Sequence, residues 1–138
     1  MGATVTVSKT ETIPVRSGDD IVRVRQRVRA LAIDIGLGLV DQTKIVTAAS
    51  ELARNTLDYG GGGEVRAESV QVGTRKGLRL TFEDQGPGIA DIEQAMTDHY
   101  TSGKGLGLGL GGAKRLSNEF HIESTPGVGT RVMIARWK

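Results

Sequence analysis

Three short motifs bring together residues that could bind a nucleotide and move a proton. Glu51 and Asn55 are four residues apart, so on a helix they project from the same side. An Asn side-chain oxygen suits Mg²⁺, which takes few protein ligands, and a carboxylate one turn away can accept a proton from an attacking hydroxyl. Glu and Asn also share this spacing on ordinary solvated helix faces, so this motif alone identifies no site.

The second motif is an acidic residue followed by a glycine-rich turn. Asp84 ends an apolar stretch, and Gly86, Pro87 and Gly88 follow at once. Glycine allows positive φ and lets a ligand approach the backbone closely. The carboxylate could therefore accept a hydrogen bond from an exocyclic amine such as the 6-amino group of adenine. A simple acidic β-turn is the alternative interpretation, because Asp, Gly and Pro all favour turns.

The third motif alternates three glycines with three leucines over residues 105–110. Each glycine costs about 1 kcal/mol in a helix interior, so their presence needs a reason. Backbone N–H groups at the start of a helix can hold phosphate, and Lys104 could reach the same group. The Gly-Lys-Ser/Thr ending of a P-loop is missing. A flexible glycine-rich connector is the alternative.

Composition limits the classes of protein that fit. A chain of 138 residues fits one domain, 1–138, and the absence of cysteine excludes disulfides and thiolate metal sites. No apolar run approaches the roughly 20 residues needed to cross a bilayer, and no signal peptide is evident. We therefore expect a cytoplasmic protein that does not insert into membranes.

The basic residues concentrate in Arg23, Arg25, Arg27 and Arg29, although the formal net charge is only +2. A nucleic-acid binder would interleave such a stripe with aromatic residues, and none lies within this cluster. We therefore expect no nucleic-acid partner. A solvated helix face is the favoured interpretation, and a docking surface for an acidic protein partner is the alternative.

Apolar spacing predicts the elements that must position these motifs. One helix is expected from Asp19 or Asp20, acting as its cap, to about Gly36, and a second from about Asp41 to the glycines at 60–63. A short helix over 91–98 and another over 106–118 should flank a loop at 99–105. The predicted buried positions are Ile21, Val24, Val28, Leu31 and Ile35 in the first helix, and Ile45, Ala49, Leu52 and Thr56 in the second.

Alternating residues predict the strands. One or two opening strands are expected over 3–8 and 11–15, a hairpin over 64–72 and 77–84, and a second hairpin over 119–125 and 129–136. The expected packed positions of the first hairpin are Val65, Ala67, Val70, Leu78, Leu80 and Phe82. This order predicts an α/β sandwich with a largely antiparallel sheet, and it lacks the βαβ alternation of a Rossmann fold.

The motifs in this order resemble the GHKL superfamily of ATP-binding domains. Glu51 and Asn55 match its N box, residues 84–88 its G1 box, residues 105–109 its G2 box, and residues 127–130 its closing glycine–threonine segment. The resemblance implies a Bergerat fold, a two-layer sandwich whose mixed, largely antiparallel sheet is covered on one face by helices, with ATP under a lid at 90–105. It also implies that the Thr130 hydroxyl supports an adenine-binding Asp84.

The resemblance implies ATP and Mg²⁺ as cofactors, with Asn55 as the metal ligand and Glu51 as the catalytic proton acceptor. Arg54, next to both motif residues, could touch phosphate or a partner, or form a surface ion pair. The full set of expected ATP-binding residues is Asn55, Arg54, Asp84, Gly86, Gly88, Ile89, Lys104, Gly105, Leu106, Gly107, Leu108, Gly109 and Thr130.

Residues 51–55, 83–89 and 105–116 are similar to the RsbT-type switch kinases of bacterial partner-switching and stressosome pathways. That resemblance implies a serine/threonine-protein kinase that phosphorylates a STAS-domain partner and can activate a PP2C-type phosphatase by binding. Gly111 stands where such kinases often carry Pro. The alternative is an anti-sigma factor, with a sigma factor as partner, or a non-catalytic ATP-dependent switch. A histidine kinase or a gyrase-type ATPase fits less well, because we expect no further domain.

Overall fold

Two amphipathic helices form the layer that covers the sheet in this computed structural model, which describes residues 4–96 and 109–138. They are α1 (Gly18–Asp34) and α2 (Leu39–Asp58), and two short helices follow, α3 (Ile92–Ala95) and α4 (Gly109–Arg115). The predicted buried positions of α1 and α2 are all buried. Their helical spacing therefore identified the faces that pack on the sheet.

The start of α1 differs from its prediction. The helix begins at Gly18 with Ser17 at the cap position, so neither Asp19 nor Asp20 caps it. Asp20 lies in the first turn instead, where its Oδ2 accepts a hydrogen bond from the Arg16 amide at 2.8 Å. The carboxylate thereby satisfies a free N–H just before the helix.

Five strands form one sheet in the order β1-β2-β3-β5-β4, and every pairing within the described residues is antiparallel. The strands are β1 (Thr6–Val15), β2 (Gly63–Val72), β3 (Arg75–Asp84), β4 (Glu119–Thr125) and β5 (Gly129–Trp137). Both hairpins and the helix-covered, antiparallel sandwich are confirmed. The β3–β5 pairing, which joins the two hairpins, places Asp84 opposite Thr130.

The opening segment takes one of its two predicted forms, and two other local features differ from the predictions. The opening segment is a single strand whose register shifts between Val7 and Lys9. The first hairpin turns before Arg75, so Gly77 lies inside β3, where the Trp137 ring occupies the space that a Cβ would need. Val70 is an odd number of residues from Val65 and Ala67 along β2. Because side chains alternate along a strand, it is buried on the opposite face of the sheet.

The end of α4 and the open face of the sheet complete the fold. The helix stops at Arg115, before the predicted end at 118, because the Asn118 amide already bonds the Ala135 carbonyl of β5 at 2.9 Å. The face away from the helices carries ion pairs such as Arg79–Glu68 and Arg131–Glu83. No helix in the described part of the chain is long and apolar enough to span a membrane.

Candidate active site

A cavity of about 430 Å³ lies at one end of the helical layer, where α2 ends, β3 ends and α4 begins. Its lining includes eight of the predicted site residues: Glu51, Arg54, Asn55, Asp84, Gly88, Ile89, Gly109 and Thr130. The predicted Lys104, Gly105, Leu106, Gly107 and Leu108 fall outside the described residues. The structure thus brings residues from all three motifs, and Thr130 from β5, to one cavity.

One wall of this cavity is a face of α2. Glu51 and Asn55 are both half-buried there, one turn apart, while the intervening Leu52 points into the core and is 1% exposed. Arg54 lines the cavity from an exposed position. It has no hydrogen bond or ion pair to another described residue. The helical spacing therefore presents an acid, an amide and a guanidinium to the same space.

Asp84 is held in place by its neighbours. Its Oδ1 accepts a hydrogen bond from the Gly86 amide at 3.0 Å. A Cβ on Gly60 would overlap the Asp84 carboxylate, so only glycine lets the end of α2 approach it this closely. The second carboxylate oxygen accepts no hydrogen bond within the described residues, which leaves it available to a ligand in the cavity.

Gly86 does not line the cavity, although it was predicted to contact ATP. It packs against the backbone of Gly60, where a Cβ would overlap that residue. Gly88 does line the cavity and has a φ of 75°, a conformation that L side chains rarely adopt. The two glycines therefore differ in position, one behind the Asp84 carboxylate and one facing the space.

Ser124, which no sequence pattern singled out, joins the turn after Asp84 to β5. Its Oγ accepts the Ile89 amide at 2.7 Å and lies 2.9 Å from Thr130 Oγ1 and 3.2 Å from the Gly129 carbonyl oxygen. A hydroxyl has one proton, so these contacts agree when Ser124 donates to Gly129 and accepts from Ile89 and Thr130. The Thr130 hydroxyl is thus bonded to Ser124, and its relation to Asp84 is that of a cross-strand neighbour.

Apart from Thr56, which was predicted as a buried position of α2, four polar residues of the lining were not predicted from the sequence: Asp58, Tyr59, Asp91 and Gln94. Asp58 and Tyr59 follow Asn55 by three and four residues, so the helical period that joined Glu51 to Asn55 also reaches them. The helical spacing of α2 could therefore have predicted these two residues, because they lie one turn beyond the motif. Asp91 accepts the Gln94 amide at 2.9 Å and so begins α3.

The described lining is acidic: it carries Glu51, Asp58, Asp84 and Asp91 against the single guanidinium of Arg54. A polyphosphate would be repelled here unless a divalent cation offset the charge. Carboxylate and amide oxygens are the ligands that Mg²⁺ prefers, and Mg²⁺ usually keeps waters and substrate phosphates as its other ligands. Within the described residues there is no cluster of three or more His, Cys, Asp or Glu that could hold a metal.

Known proteins resemble the chain over most of its length. The model of the histidine kinase-, DNA gyrase B- and HSP90-like ATPases matches residues 40–138. The serine/threonine-protein kinase RsbT of Bacillus subtilis (strain 168) is 48% identical over 118 residues, 86% of this chain and 89% of RsbT. The anti-sigma F factor of Clostridium novyi (strain NT) is 30% identical over 121 residues, 81% of this chain and 82% of that protein.

Two solved structures share the fold. The RsbU and RsbW domains of a Mycobacterium tuberculosis protein align with a TM-score of 0.65 at 18% identity, over 95% of this chain and 33% of that one. The mycobacterial sensor histidine kinase MprB aligns with a TM-score of 0.56 at 22% identity, over 94% of this chain and 97% of that one. At these identities the likeness concerns the fold alone.

Proposed function

Because the chain belongs to the family of histidine kinase-, DNA gyrase B- and HSP90-like ATPases, we propose that it is a serine/threonine-protein kinase acting on a STAS-domain protein. The similarity to RsbT, 48% over most of both chains, is the observation that favours this activity within the family. The geometry adds support, because Glu51, Asn55 and Asp84 share one cavity. We further propose activation of a PP2C-type phosphatase by binding.

The adenine end of the proposed ATP site is Asp84. Its Oδ1 is engaged by the Gly86 amide, so the other oxygen would accept the adenine 6-amino proton. The hydrogen bonds of Ser124 would hold the turn through Ile89 and so keep the carboxylate in place. Asp84 would thus be fixed by the protein through one carboxylate oxygen and bind the base through the other.

The phosphate end is the face of α2. Asn55 would ligate Mg²⁺, whose role when bound is to offset charge on the phosphates. Arg54, which has no hydrogen bond or ion pair to another described residue, would add a second positive charge. The phosphates are proposed to bind the backbone N–H groups of Gly105, Gly107 and Gly109 and the ammonium of Lys104. Positioning and charge neutralisation of this kind are the main requirements of phosphoryl transfer.

Glu51 is the proposed proton acceptor. The Ser or Thr hydroxyl oxygen of the substrate would form a bond to the γ-phosphorus while the bond to the β–γ bridging oxygen breaks. ADP would leave with that oxygen, and the hydroxyl proton would pass to the Glu51 carboxylate. Such general-base catalysis typically contributes about 10²- to 10⁴-fold in rate.

Labelled ATP, Mg²⁺ and STAS-domain proteins encoded near this chain would test the proposal. We expect label on the Ser or Thr of one STAS protein. Glu51→Gln should slow transfer by roughly 10²-fold or more while ATP affinity changes little, and Asn55→Ala should abolish it. Glu64→Gln, an exposed glutamate on β2 away from the cavity, is the matched control. Transfer at the wild-type rate by Glu51→Gln would remove that residue from the proposed chemistry.

An anti-sigma factor is the second candidate, and the 30% identity to the Clostridium novyi anti-sigma F factor favours it. In that case the output is ATP-dependent docking on a sigma factor. Co-purification with each encoded sigma factor, in the presence and absence of ATP, separates the two functions. A stable sigma complex that a STAS protein displaces would favour the anti-sigma function, whereas capture of a phosphatase would favour the kinase.

A further inference from the structure

An exposed apolar cluster lies at the corner where α1 turns into α2, at the end of the helix pair away from the cavity. Ile33, Leu39 and Val40 are 56%, 71% and 67% exposed. The turn between the helices is tight, since the Gly36 amide bonds the Ile33 carbonyl at 3.0 Å. Three large aliphatic side chains therefore face solvent at one corner, which marks a contact surface more often than scattered single residues do.

The arginines of α1 divide into two classes in the structure. Arg27 makes a two-pronged pair with Glu11, at 3.0 Å for each hydrogen bond, and Arg23 bonds Asp20 at 3.2 Å. Within the described residues, Arg25 and Arg29 form no hydrogen bond or ion pair. Arg29 lies one turn before Ile33 and Arg25 one turn before Arg29, so the free cations lie beside the apolar cluster.

The other charged residues near the corner also leave it positively charged. The Lys138 side chain packs against Gly36 in the turn between the helices, which adds a cation. The nearby acids are already paired, because Asp34 lies 3.7 Å from Lys9 Nζ and Asp41 lies 2.7 Å from Arg136 Nη2. The available charge at this corner is therefore positive.

We propose that this corner patch, formed by Ile33, Leu39, Val40, Arg25 and Arg29, docks an acidic protein segment that carries apolar side chains. Acidic groups would pair with the free arginines, and apolar side chains would cover the aliphatic cluster. A second copy of the chain would bring the same cations to an isologous contact, so self-association is disfavoured. An anionic membrane fits less well, because a membrane-surface helix presents an apolar face along its length and this patch lies at the turn between two helices.

The patch lies apart from the proposed chemistry. Leu39 and Glu51 are twelve residues apart on α2, which places them roughly 18 Å from each other along the helix axis. A segment docked at the corner would therefore leave the cavity open. The proposal goes beyond the kinase function and does not rest on it, so the patch could hold a partner in either proposed activity.

A defined peptide tests the patch directly. The probe is a fluorescein-labelled helical peptide of about 15 residues with Leu at helical spacing and Glu elsewhere, and its counterpart has Lys in place of Glu. We expect the acidic peptide to bind and to shift amide resonances of the corner residues. Arg25→Glu/Arg29→Glu and Leu39→Ser/Val40→Ser should each weaken binding roughly tenfold or more.

Two control variants match these changes elsewhere on the chain. Arg16→Glu reverses an exposed arginine just before α1, and Val128→Ser removes a side chain that is 65% exposed in the β4–β5 turn. Both should bind the acidic peptide as the wild type does. The proposal is overturned by a failure of the acidic peptide to bind, by equal binding of the basic peptide, by equal loss in the controls, or by binding only to phosphatidylglycerol vesicles. None of these results affects the labelled-ATP test.

Discussion

Replacing Asp84 with Asn tests whether this residue reads the adenine amine. The change keeps the size of the side chain and removes one acceptor. Asn can place its oxygen toward the Gly86 amide, now 3.0 Å from Oδ1, which turns its NH₂ toward the adenine amine, where donor meets donor. In the opposite rotamer the NH₂ group of the new side chain faces the Gly86 amide, so two donors meet there instead. Either orientation loses one hydrogen bond.

The expected loss follows from the kind of bond removed. A hydrogen bond to a charged acceptor contributes about 1.5–3 kcal/mol, so ATP affinity should fall roughly 10- to 150-fold. Calorimetric titration with Mg-ATP measures this. The adjacent Glu83→Gln is a matched control, because Glu83 faces the open side of the sheet, where it pairs with Arg131.

A nucleotide lacking the amine separates recognition from general damage. The wild type should bind the triphosphate of purine riboside, which has no 6-amino group, more weakly than ATP by a similar factor. Asp84→Asn should discriminate little between the two, because neither complex then contains a hydrogen bond from a 6-amino group to residue 84. If the variant loses affinity for both nucleotides equally, or for neither, Asp84 does not read the amine.

Three further substitutions probe how the site is held. Gly60→Ala should lower the free energy of unfolding by about 1–3 kcal/mol and weaken ATP binding, because the new Cβ overlaps the Asp84 carboxylate; Gly18→Ala, with open space around its Cβ, should be close to neutral. Ser124→Ala should cost about 1–2 kcal/mol in urea unfolding, because the Ile89 amide loses its acceptor. Arg136→Ala should lower stability by about 1–3 kcal/mol, because this nearly buried guanidinium joins α2 to the chain after α4.

Each of these predictions has an outcome that contradicts it. Wild-type stability and ATP affinity in Gly60→Ala would show that the carboxylate can shift without cost. A Ser124→Ala protein that unfolds at the wild-type urea midpoint would mean that the Ile89 amide needs no protein acceptor. For Arg136→Ala, the control is Arg131→Ala on the exposed open face, and an equal loss in both would refute a special role for the buried pair.

Periodicity predicted the buried faces of α1 and α2 and both hairpins, because each helix and hairpin buries its own stripe, but it did not predict the ends of α1 and α4 or the face of Val70. Ile45 and Leu52 fell on the predicted face of α2, since helix period alone determines which residues meet the sheet. The β3–β5 pairing is different. It joins Asp84 to Thr130, which are 46 residues apart, and nothing local in either strand determines that register. Only the resemblance placed them together before the structure did.

Ser124 and Gly60 show what a motif search leaves out. Gly60, after the end of α2, packs against the Asp84 carboxylate, and Ser124 in β4 bonds the Ile89 amide in the turn that follows Asp84. Neither residue belongs to the motif that it supports. A serine in an alternating strand and a glycine after a helix are common features with many causes. Their importance appears only when the chain is folded and the groups they contact are known.

The acidity of the cavity restricts how ATP could be held there. The described lining has four carboxylates and one guanidinium, so the protein groups near the base and the α2 face cannot by themselves balance a triphosphate. In the proposed complex, the compensating charge would come from a metal ion at Asn55 and from groups beyond the described lining, for which Lys104, Gly105 and Gly107 are the predicted donors. Nucleotide affinity should therefore depend steeply on Mg²⁺. Removing Mg²⁺ with EDTA should weaken ATP binding far more than it weakens adenosine binding, because only ATP brings phosphates to the acidic wall.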